Sequence, residues 1–140
     1  MKTSEVFNKV ASNYDLMNDI MSVGAHRYWK ECLLDWLKPA YGMNIIDVAG
    51  GTGDIARRFL NRINGEGLVT VCDPNINMTK YGKQKKYKHD DRISWVNANA
   101  ESLPFEDNTF DAYLVSFGAR NFSDINQSLH EARRVLKNNG

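Results

Sequence analysis

A short glycine-rich segment with an acidic residue at each end is the part of this sequence best suited to binding chemistry. Residues 47–54 read DVAGGTGD, with Gly51, Thr52 and Gly53 near the centre. Glycines let the backbone approach a ligand closely, and a helix that begins after them presents unpaired N–H groups. We call this segment the glycine loop. A tight turn without a ligand would show the same glycines, so the interpretation depends on its neighbours.

Asp73 is the first of these neighbours. It lies about 20 positions after the glycines, where an acidic residue accepts hydrogen bonds from the two hydroxyls of a ribose. The alternative for Asp73, which Pro74 and Asn75 follow, is a helix N-cap. The glycine loop and Asp73 together fit a nucleotide-like cofactor, but they do not separate S-adenosylmethionine from NAD(P), because residues 51–56 also fit the loose dinucleotide pattern.

Charge around the glycine loop favours one of the two cofactors. Asp47 belongs to the preceding strand, and Asp54 directly follows the last glycine. Two carboxylates there would repel a pyrophosphate and attract a sulfonium and an ammonium group. The sequence therefore favours S-adenosylmethionine, although helix capping alone would also explain Asp54.

The loop after the third predicted strand carries a candidate adenine site. Asn99 and Ala100 lie there, and an amide at this position would face an adenine edge. Leu103 and Phe105 would pack on the ring. The alternative is a polar loop at a strand end, with Leu103 and Phe105 in the core.

The loop after the fourth predicted strand carries the candidate for the reaction itself. Ser116 would contact the cofactor, and Arg120 would lie near the reacting atoms. An anionic oxygen is the natural partner of an arginine. A surface ion pair is the alternative for Arg120.

Strands and helices alternate from residue 44 onwards, and this order places every candidate at a strand end. The predicted strands are residues 45–48, 68–72, 93–96 and 112–117, and the helices between or after them are 54–63, 75–86 and 124–136. The pattern predicts an α/β, Rossmann-like fold with a parallel sheet and helices on both faces. Ligands bind beyond the carboxyl ends of the strands in such sheets.

Two helices are predicted before the first strand, which divides the chain into a helical cap segment, residues 1–43, and a cofactor-binding half of the same domain, residues 44–140. The first helix has its apolar residues at Phe7, Val10, Ala11 and Tyr14. The second should bury Trp29, Cys32, Leu33, Trp36 and Leu37. The last helix of the chain should bury Ile125, Leu129, Ala132 and Leu136. Residues 136–140 read as a turn towards another strand, so we expect a chain truncated after its fourth strand.

Composition limits the classes of partner that the protein is expected to bind. The chain of 140 residues has 18 basic and 17 acidic residues, a formal net charge of +1, which predicts no nucleic-acid partner. Cys32 and Cys72 have no metal or disulfide spacing, so we predict no metal site and a reducing, cytoplasmic environment. No apolar run approaches the roughly 18 residues of a membrane helix.

Several longer motifs resemble one family, the ubiquinone/menaquinone biosynthesis C-methyltransferases, which are class I S-adenosylmethionine-dependent enzymes. The motifs are VFNKVASNYDLMND at residues 6–19, GAHRYWK at 24–30, the glycine loop, NAESLPF at 99–105 and FGARN at 117–121. Ala49 stands where most methyltransferases have glycine. At this position the sequence resembles the form with alanine that is found in this family.

The resemblance implies C-methylation of a ring carbon of a polyprenylated benzoquinol or demethylmenaquinol, with S-adenosylmethionine as cofactor. It implies cofactor contacts from Thr52, Asp73, Asn99, Ala100 and Ser116. It also implies a seven-stranded sheet of which this chain supplies the first four strands.

Arg120 is our catalytic candidate, to stabilise a phenolate or to orient a water. Tyr14, Asp15 and His26 are candidates to close over the cofactor, and helix packing and capping are the alternative for all three.

The same resemblance implies peripheral contact with the inner membrane through the substrate. It also implies assembly as a homo-oligomer or within a quinone-biosynthesis complex. Two other functions stay open: an NAD(P)-dependent oxidoreductase and a non-catalytic cofactor-binding module of a quinone-biosynthesis assembly.

Overall fold

Strands and helices alternate in the structure as the sequence predicts. A computed structural model describes residues 25–64, 66–88, 90–115 and 122–140, without the side chains of residues 25 and 26. In chain order the elements are α1 (Ala25–Leu37), β1 (Asn44–Val48), α2 (Asp54–Arg62), β2 (Leu68–Cys72), α3 (Ile76–Tyr81), a π-helical turn (Gly82–Lys86), β3 (Ile93–Val96), β4 (Ala112–Val115) and α4 (Ile125–Val135). The predicted helix over residues 75–86 is thus α-helical only in its first part. The predicted leading helix lies outside the described residues.

The four strands form one parallel sheet in the order β3-β2-β1-β4. β1 pairs with β2 on one side and with β4 on the other, so that Val48 lies level with both Cys72 and Val115. In chain order, β2 and β3 therefore lie on one side of β1, and β4 then lies on the other side. The carboxyl ends of strands at such a reversal border a crevice where ligands bind. The glycine loop leaves the sheet at this point.

Side chains of β1 point alternately to the two faces of the sheet, and helices cover both faces as predicted. Ile45 packs in a cluster with residues of α1 and α2. Ile46 and Val48 pack in a second cluster with Val135 of α4. Because alternate side chains of a strand point to opposite faces, Asp47 points to the side covered by α1 and α2.

The buried side of α1 differs from the prediction. Leu34 is fully buried and Lys30 is 8% exposed, whereas Trp29 and Trp36 are 54% and 83% exposed. Leu33 and Leu37, as predicted, pack against the first cluster. The prediction was wrong for the tryptophans because it counted only apolar residues, and the helix turns the aliphatic stem of a lysine inward together with Leu34.

The last helix also presents a different side to the sheet. Ser128, Ala132 and Val135 are buried, but Ile125 and Leu129 are 49% and 61% exposed. Of the predicted helical stripe, Ala132 is buried and Leu136 is partly buried against the second cluster. The carboxyl end of α4 fixes this rotation, because the N–H of Phe110 donates to the carbonyl of Val135 at 2.9 Å and a parallel bridge joins Phe110 to Leu136.

Candidate cofactor-binding site

The glycine loop turns the chain from β1 into α2 through left-handed backbone. Gly51 and Gly53 have φ angles of +58° and +87°, in the region that favours glycine over other residues. Gly53 is the N-cap of α2 and provides no side-chain cap. Asp54 is the first residue of the helix, so its interpretation as the helix cap is wrong. The loop therefore leaves the N–H groups at the start of α2 for other partners.

Ala49 shares this left-handed conformation although it is not a glycine. Its φ angle is +56°. Its N–H donates to the carbonyl of Cys72 at 2.7 Å, which holds the start of the loop against the end of β2. The sequence departs from the usual glycine at a position where glycine would be favoured, so the alanine carries a conformational cost.

Asp73 joins the loop after β2 to the glycine loop. Its Oδ2 accepts a hydrogen bond from the Gly51 N–H at 3.0 Å, and its Oδ1 accepts one from the Asn75 N–H at 2.8 Å. Burial raises the pKa of Asp73, and these two hydrogen bonds offset only part of the rise. Asn75, rather than Asp73, is the N-cap of α3. Each carboxylate oxygen still has a free lone pair, so the group could accept a further hydrogen bond from a ligand hydroxyl.

The Oδ2 atom of Asp47 packs against Gly50 of the glycine loop without a hydrogen-bond partner. Asp47 is 1% exposed, and its Oδ2 is the one buried side-chain polar atom without a partner in the parts of the chain described here. A Cβ built on Gly50 would lie 2.6 Å from that oxygen, so the carboxyl group packs directly against the loop backbone. Burial and then the charge of Asp73 raise its pKa to about 8, while Lys30 acts in the opposite direction. A ligand that donates a hydrogen bond to this oxygen would supply the missing partner.

Asp54 is neutralised by two cations from different helices. Its Oδ2 accepts hydrogen bonds of 2.9 Å from Lys30 Nζ and from Arg58 Nε. Burial alone would raise its pKa, but these contacts hold the pKa below its ordinary value. The charge argument from the sequence therefore fails for Asp54, and for Asp47 it requires a cationic ligand, which would favour the ionised form of that buried carboxyl group. Sequence reasoning missed Lys30 as a site residue; its position four residues before the buried Leu34, on the same side of α1, was the available signal.

Of the residues predicted to contact the adenine, some lie at the surface of the loop and others lie in the core. Asn99 has an exposed side chain, whereas Ala100 is buried in the second cluster together with Leu103. Phe105 packs edge-on against Phe110, with ring centroids 5.3 Å apart. Leu103 and Phe105 thus belong to the core, as the alternative interpretation held.

Asn97 connects the loop after β3 to Asp73. Its side-chain Nδ2 donates to the Asp73 carbonyl at 3.0 Å and to Thr79 Oγ1 at 2.9 Å. This amide holds the loops after β2 and β3 together, a role that sequence reasoning did not assign. A polar residue at a strand end was the only signal for it.

The structure brings Gly51, Thr52, Gly53 and Asp73 together at the carboxyl ends of β1 and β2, with Asn99 and Ala100 after the neighbouring β3. The predicted roles of Ser116, Arg120, Tyr14 and Asp15 lie outside the described residues, as does the side chain of His26.

The family comparison covers the whole chain. A model of the ubiE/COQ5 methyltransferase family matches residues 1–140. The chain belongs to this family. One relative, the ubiquinone/menaquinone biosynthesis C-methyltransferase UbiE of Paracoccus denitrificans, is 52% identical over 137 residues, which are 96% of this chain and 54% of the relative. The chain thus spans about half the length of the curated relatives it matches.

Solved structures support the fold. A SAM-dependent methyltransferase from Aquifex aeolicus aligns with a TM-score of 0.69 at 25% identity, over 77% of this chain and 58% of that one. The [4+2]-cyclase SpnF aligns with a TM-score of 0.72 at 22% identity, over 79% and 40%. Because the same fold is found in a cyclase and in methyltransferases, the reaction has to be inferred from the family and the site rather than from the fold.

Proposed function

We propose that this chain is the cofactor-binding part of an S-adenosylmethionine-dependent C-methyltransferase that acts on a ring carbon of a polyprenylated benzoquinol or demethylmenaquinol. The observation that carries the proposal is the match of the ubiE/COQ5 family over residues 1–140. A dinucleotide-dependent oxidoreductase has no comparable support.

The residues present at the carboxyl ends of β1 and β2 fit this cofactor. The unpartnered carboxyl oxygen of Asp47 suits a ligand that carries positive charge, and Asp73 retains acceptor capacity for a ribose. The glycine loop would contact the cofactor with Gly51, Thr52 and Gly53. Asn99 and Ala100 would lie beside the adenine, and Ser116, after β4, would be a further cofactor contact. The bound cofactor would supply a methyl group on a sulfonium.

The segment that carries Ser116 and Arg120 is bounded by two anchored points. It begins after Val115, whose partner in the sheet is Val48, next to the glycine loop. It ends before Ser123 and Asp124, whose N–H groups donate to Glu101 Oε1 at 2.9 and 3.2 Å. Glu101 directly follows the proposed adenine contacts, so the described residues on both sides of the segment lie near residues that we propose as cofactor contacts.

Arg120 is our proposed catalytic residue. C-methylation of a hydroxylated ring requires an electron-rich carbon, and a fixed cation stabilises the phenolate form that provides it. A guanidinium keeps its charge at any pH that the protein meets, so Arg120 would stabilise the phenolate or orient a water rather than act as a base. Tyr14, Asp15 and His26 are the residues we propose to close over the site.

The proposed substrate implies contact with a membrane surface. In the described parts of the chain no helix is long and apolar enough to cross a bilayer. From the polyprenyl substrate we propose peripheral contact with the membrane, and we propose a homo-oligomer or a quinone-biosynthesis complex as the assembly.

Methyl transfer in a fusion protein tests the proposal. In this fusion the chain is joined to the part of the Paracoccus relative that the match leaves uncovered, and labelled S-adenosylmethionine is supplied with a short-chain demethylated quinol. We expect labelled product, and about 100-fold less of it per unit time from Arg120→Ala. Arg133→Ala, at an exposed position of α4, is the control. A fusion that binds the cofactor and never methylates the quinol would contradict the proposal.

A further inference from the structure

Positive charge is concentrated in residues 74–88, which form α3 and the π-helical turn. This segment carries five of the 18 basic residues of the chain and none of its 17 acidic residues. Since the whole chain has a formal net charge of only +1, the remaining residues are acidic on balance. The two signs of charge are therefore separated along the molecule, and this segment attracts anions although the protein is nearly neutral.

The inner side of α3 packs against the glycine loop. Met78 and Thr79 are buried, as is Gly82 at the start of the turn. A Cβ built on Gly82 would lie 2.5 Å from the Thr52 carbonyl oxygen, so the two backbones are in direct contact. This packing fixes α3 beside the proposed cofactor site and leaves its other side to solvent.

The outer side of α3 and the turn is formed by one apolar residue and by lysines. Ile76 is 62% exposed, and Lys80 and Lys83 follow it at a spacing that places all three on one side of the helical segment. Lys86 differs from them, because it is partly buried with its Nζ 5.4 Å from the centroid of the Tyr87 ring. We call the exposed set the lysine surface, and it consists of Ile76, Lys80, Lys83, Lys85 and Lys88.

Neighbouring acidic residues do not neutralise the lysine surface. Among the residues that the structure describes, none of its four lysines forms an ion pair. Asp90, the next acidic residue in the sequence, pairs instead with Arg57 at 2.6 Å and with Arg92 at 2.9 Å. Four exposed ammonium groups therefore lie together without compensating charge.

The lysine surface begins at the edge of the proposed cofactor site. α3 starts three residues after Asp73, and Ile76 lies in its first turn. Asn97 Nδ2 donates to the Asp73 carbonyl at 3.0 Å and to Thr79 Oγ1 at 2.9 Å, which ties this turn to the carboxyl ends of β2 and β3. A partner on the lysine surface would therefore lie beside the site.

We propose that the lysine surface docks the protein on an anionic lipid bilayer, with the lysines at the lipid phosphates and Ile76 at the boundary between headgroups and acyl chains. This inference rests on the proposed function, since a polyprenylated quinol is dissolved in a bilayer. It goes beyond contact through the substrate, because the lysine surface would hold the protein on lipid that contains no quinol. Basic clusters of roughly four to eight residues are typical of such docking.

Two features favour a bilayer over a nucleic acid as the anionic partner. The lysine surface contains no arginine, the residue type that recognises phosphates and bases in a fixed geometry, whereas lysines act as hydrated point charges. It also contains the exposed Ile76 at the end nearest the site. An isoleucine is stabilised by contact with lipid and gains little beside a phosphate backbone.

Cosedimentation with vesicles that contain no quinol tests the inference. One set of vesicles consists of phosphatidylcholine alone, and the other contains phosphatidylcholine mixed with the anionic phosphatidylglycerol. We expect the 140-residue chain to bind only the anionic vesicles, and to bind them less as the salt concentration rises.

Two double variants of equal net charge separate the lysine surface from charge in general. Lys80→Gln/Lys83→Gln should weaken binding to anionic vesicles by about 5-fold for each lysine removed. Lys38→Gln/Arg133→Gln removes two exposed cations elsewhere and should bind as the wild type does. Both should keep the circular dichroism and the S-adenosylhomocysteine affinity of the wild type. Ile76→Ser should weaken vesicle binding about 3-fold or more and keep its salt dependence.

The outcomes are distinct from those of the proposed function, which depends on cofactor binding and methyl transfer. If the wild-type chain does not bind anionic vesicles, or if the two double variants bind them equally, the inference is wrong and the proposed function stands. Binding of duplex DNA as tight as that of anionic vesicles, with no effect of Ile76→Ser on either, would show a general polyanion site and also overturn the inference. Vesicle binding with the expected losses supports the inference, and if that same chain does not bind S-adenosylhomocysteine, the proposed function alone fails.

Discussion

The backbone N–H of Gly51 donates a hydrogen bond of 3.0 Å to Oδ2 of Asp73, across 22 positions of sequence. The contact joins the loops that follow two neighbouring strands, and both of its residues are buried. One carboxylate thus fixes the conformation of the glycine loop and forms part of the surface proposed for the ribose. Its removal should therefore change both folding stability and ligand binding.

Asp73→Asn is the first test of that dual role. An amide nitrogen cannot accept a hydrogen bond, so one of the two bonds from Gly51 and Asn75 is lost. We expect the free energy of unfolding to fall by about 1–3 kcal/mol, and the affinity for S-adenosylhomocysteine to fall about 10-fold or more. Urea unfolding and calorimetry measure the two effects, with the exposed Asp91→Asn as control. Unchanged affinity in a folded variant would show that Asp73 is only structural.

The buried Asp47 predicts a pH dependence of stability. Its ordinary pKa of 3.8 is raised to about 8 in the folded chain, chiefly by burial and then by Asp73. The folded state therefore binds this proton more tightly than the unfolded state, and Asp47 destabilises the ligand-free fold increasingly as the pH rises from about 4 to about 8. Asp47→Asn cannot ionise, so its stability advantage over the wild type should grow across that range.

Urea unfolding at several pH values between 4 and 9 measures this difference. Lys30, Asp54 and Asp73 face Asp47 in both proteins, so their own titration largely cancels in the comparison. A difference in unfolding free energy that stays constant from pH 5 to pH 8 would mean that Asp47 ionises normally in the fold.

Gly53 and Gly42 form a matched pair for testing how tightly the glycine loop packs. Their φ angles are +87° and +80°. A Cβ on Gly53 would lie 2.7 Å from Trp95 Cη2, whereas a Cβ on Gly42 would have nothing within 4 Å. Both alanine variants should carry the left-handed backbone cost of about 1–2 kcal/mol. Only Gly53→Ala should add a packing cost of about 1–3 kcal/mol, so equal losses of unfolding free energy would exclude the contact with Trp95.

Ala49 predicts a stabilising substitution. An alanine at φ +56° carries a backbone cost that glycine avoids, although glycine loses more entropy on folding. Ala49→Gly should therefore raise the free energy of unfolding by up to about 1 kcal/mol. The same change in the helical interior, Ala56→Gly, should lower it by about 1 kcal/mol or more. A clear loss of stability in Ala49→Gly would show that the methyl group packs favourably.

The sequence was sufficient to predict the order of elements and the parallel sheet, because strand and helix periodicities differ clearly from residue 44 onwards. It placed the glycine loop and Asp73 at the ends of β1 and β2. The family resemblance was confirmed by the comparison, and it rested on long motifs rather than on the glycines.

Side-chain partnerships were less predictable. The apolar stripe with Trp29 and Trp36 did not become the buried side of α1, because periodicity does not register that a lysine stem can pack inward. The ion pair of Asp54 with Arg58 is local on α2, but its ion pair with Lys30 joins residues 24 positions apart in sequence, so no local pattern reveals it. Leu103 packs in the core for a similar reason, since an apolar residue in a loop is equally suited to a core and to a ligand.

Titration of the 140-residue chain with S-adenosylhomocysteine, and separately with NAD and NADP, tests the central claim most directly. A folded sample should bind S-adenosylhomocysteine with one site per chain and show no binding of either dinucleotide. Dinucleotide binding without any heat from S-adenosylhomocysteine, in a sample whose circular dichroism shows a folded chain, would contradict the claim.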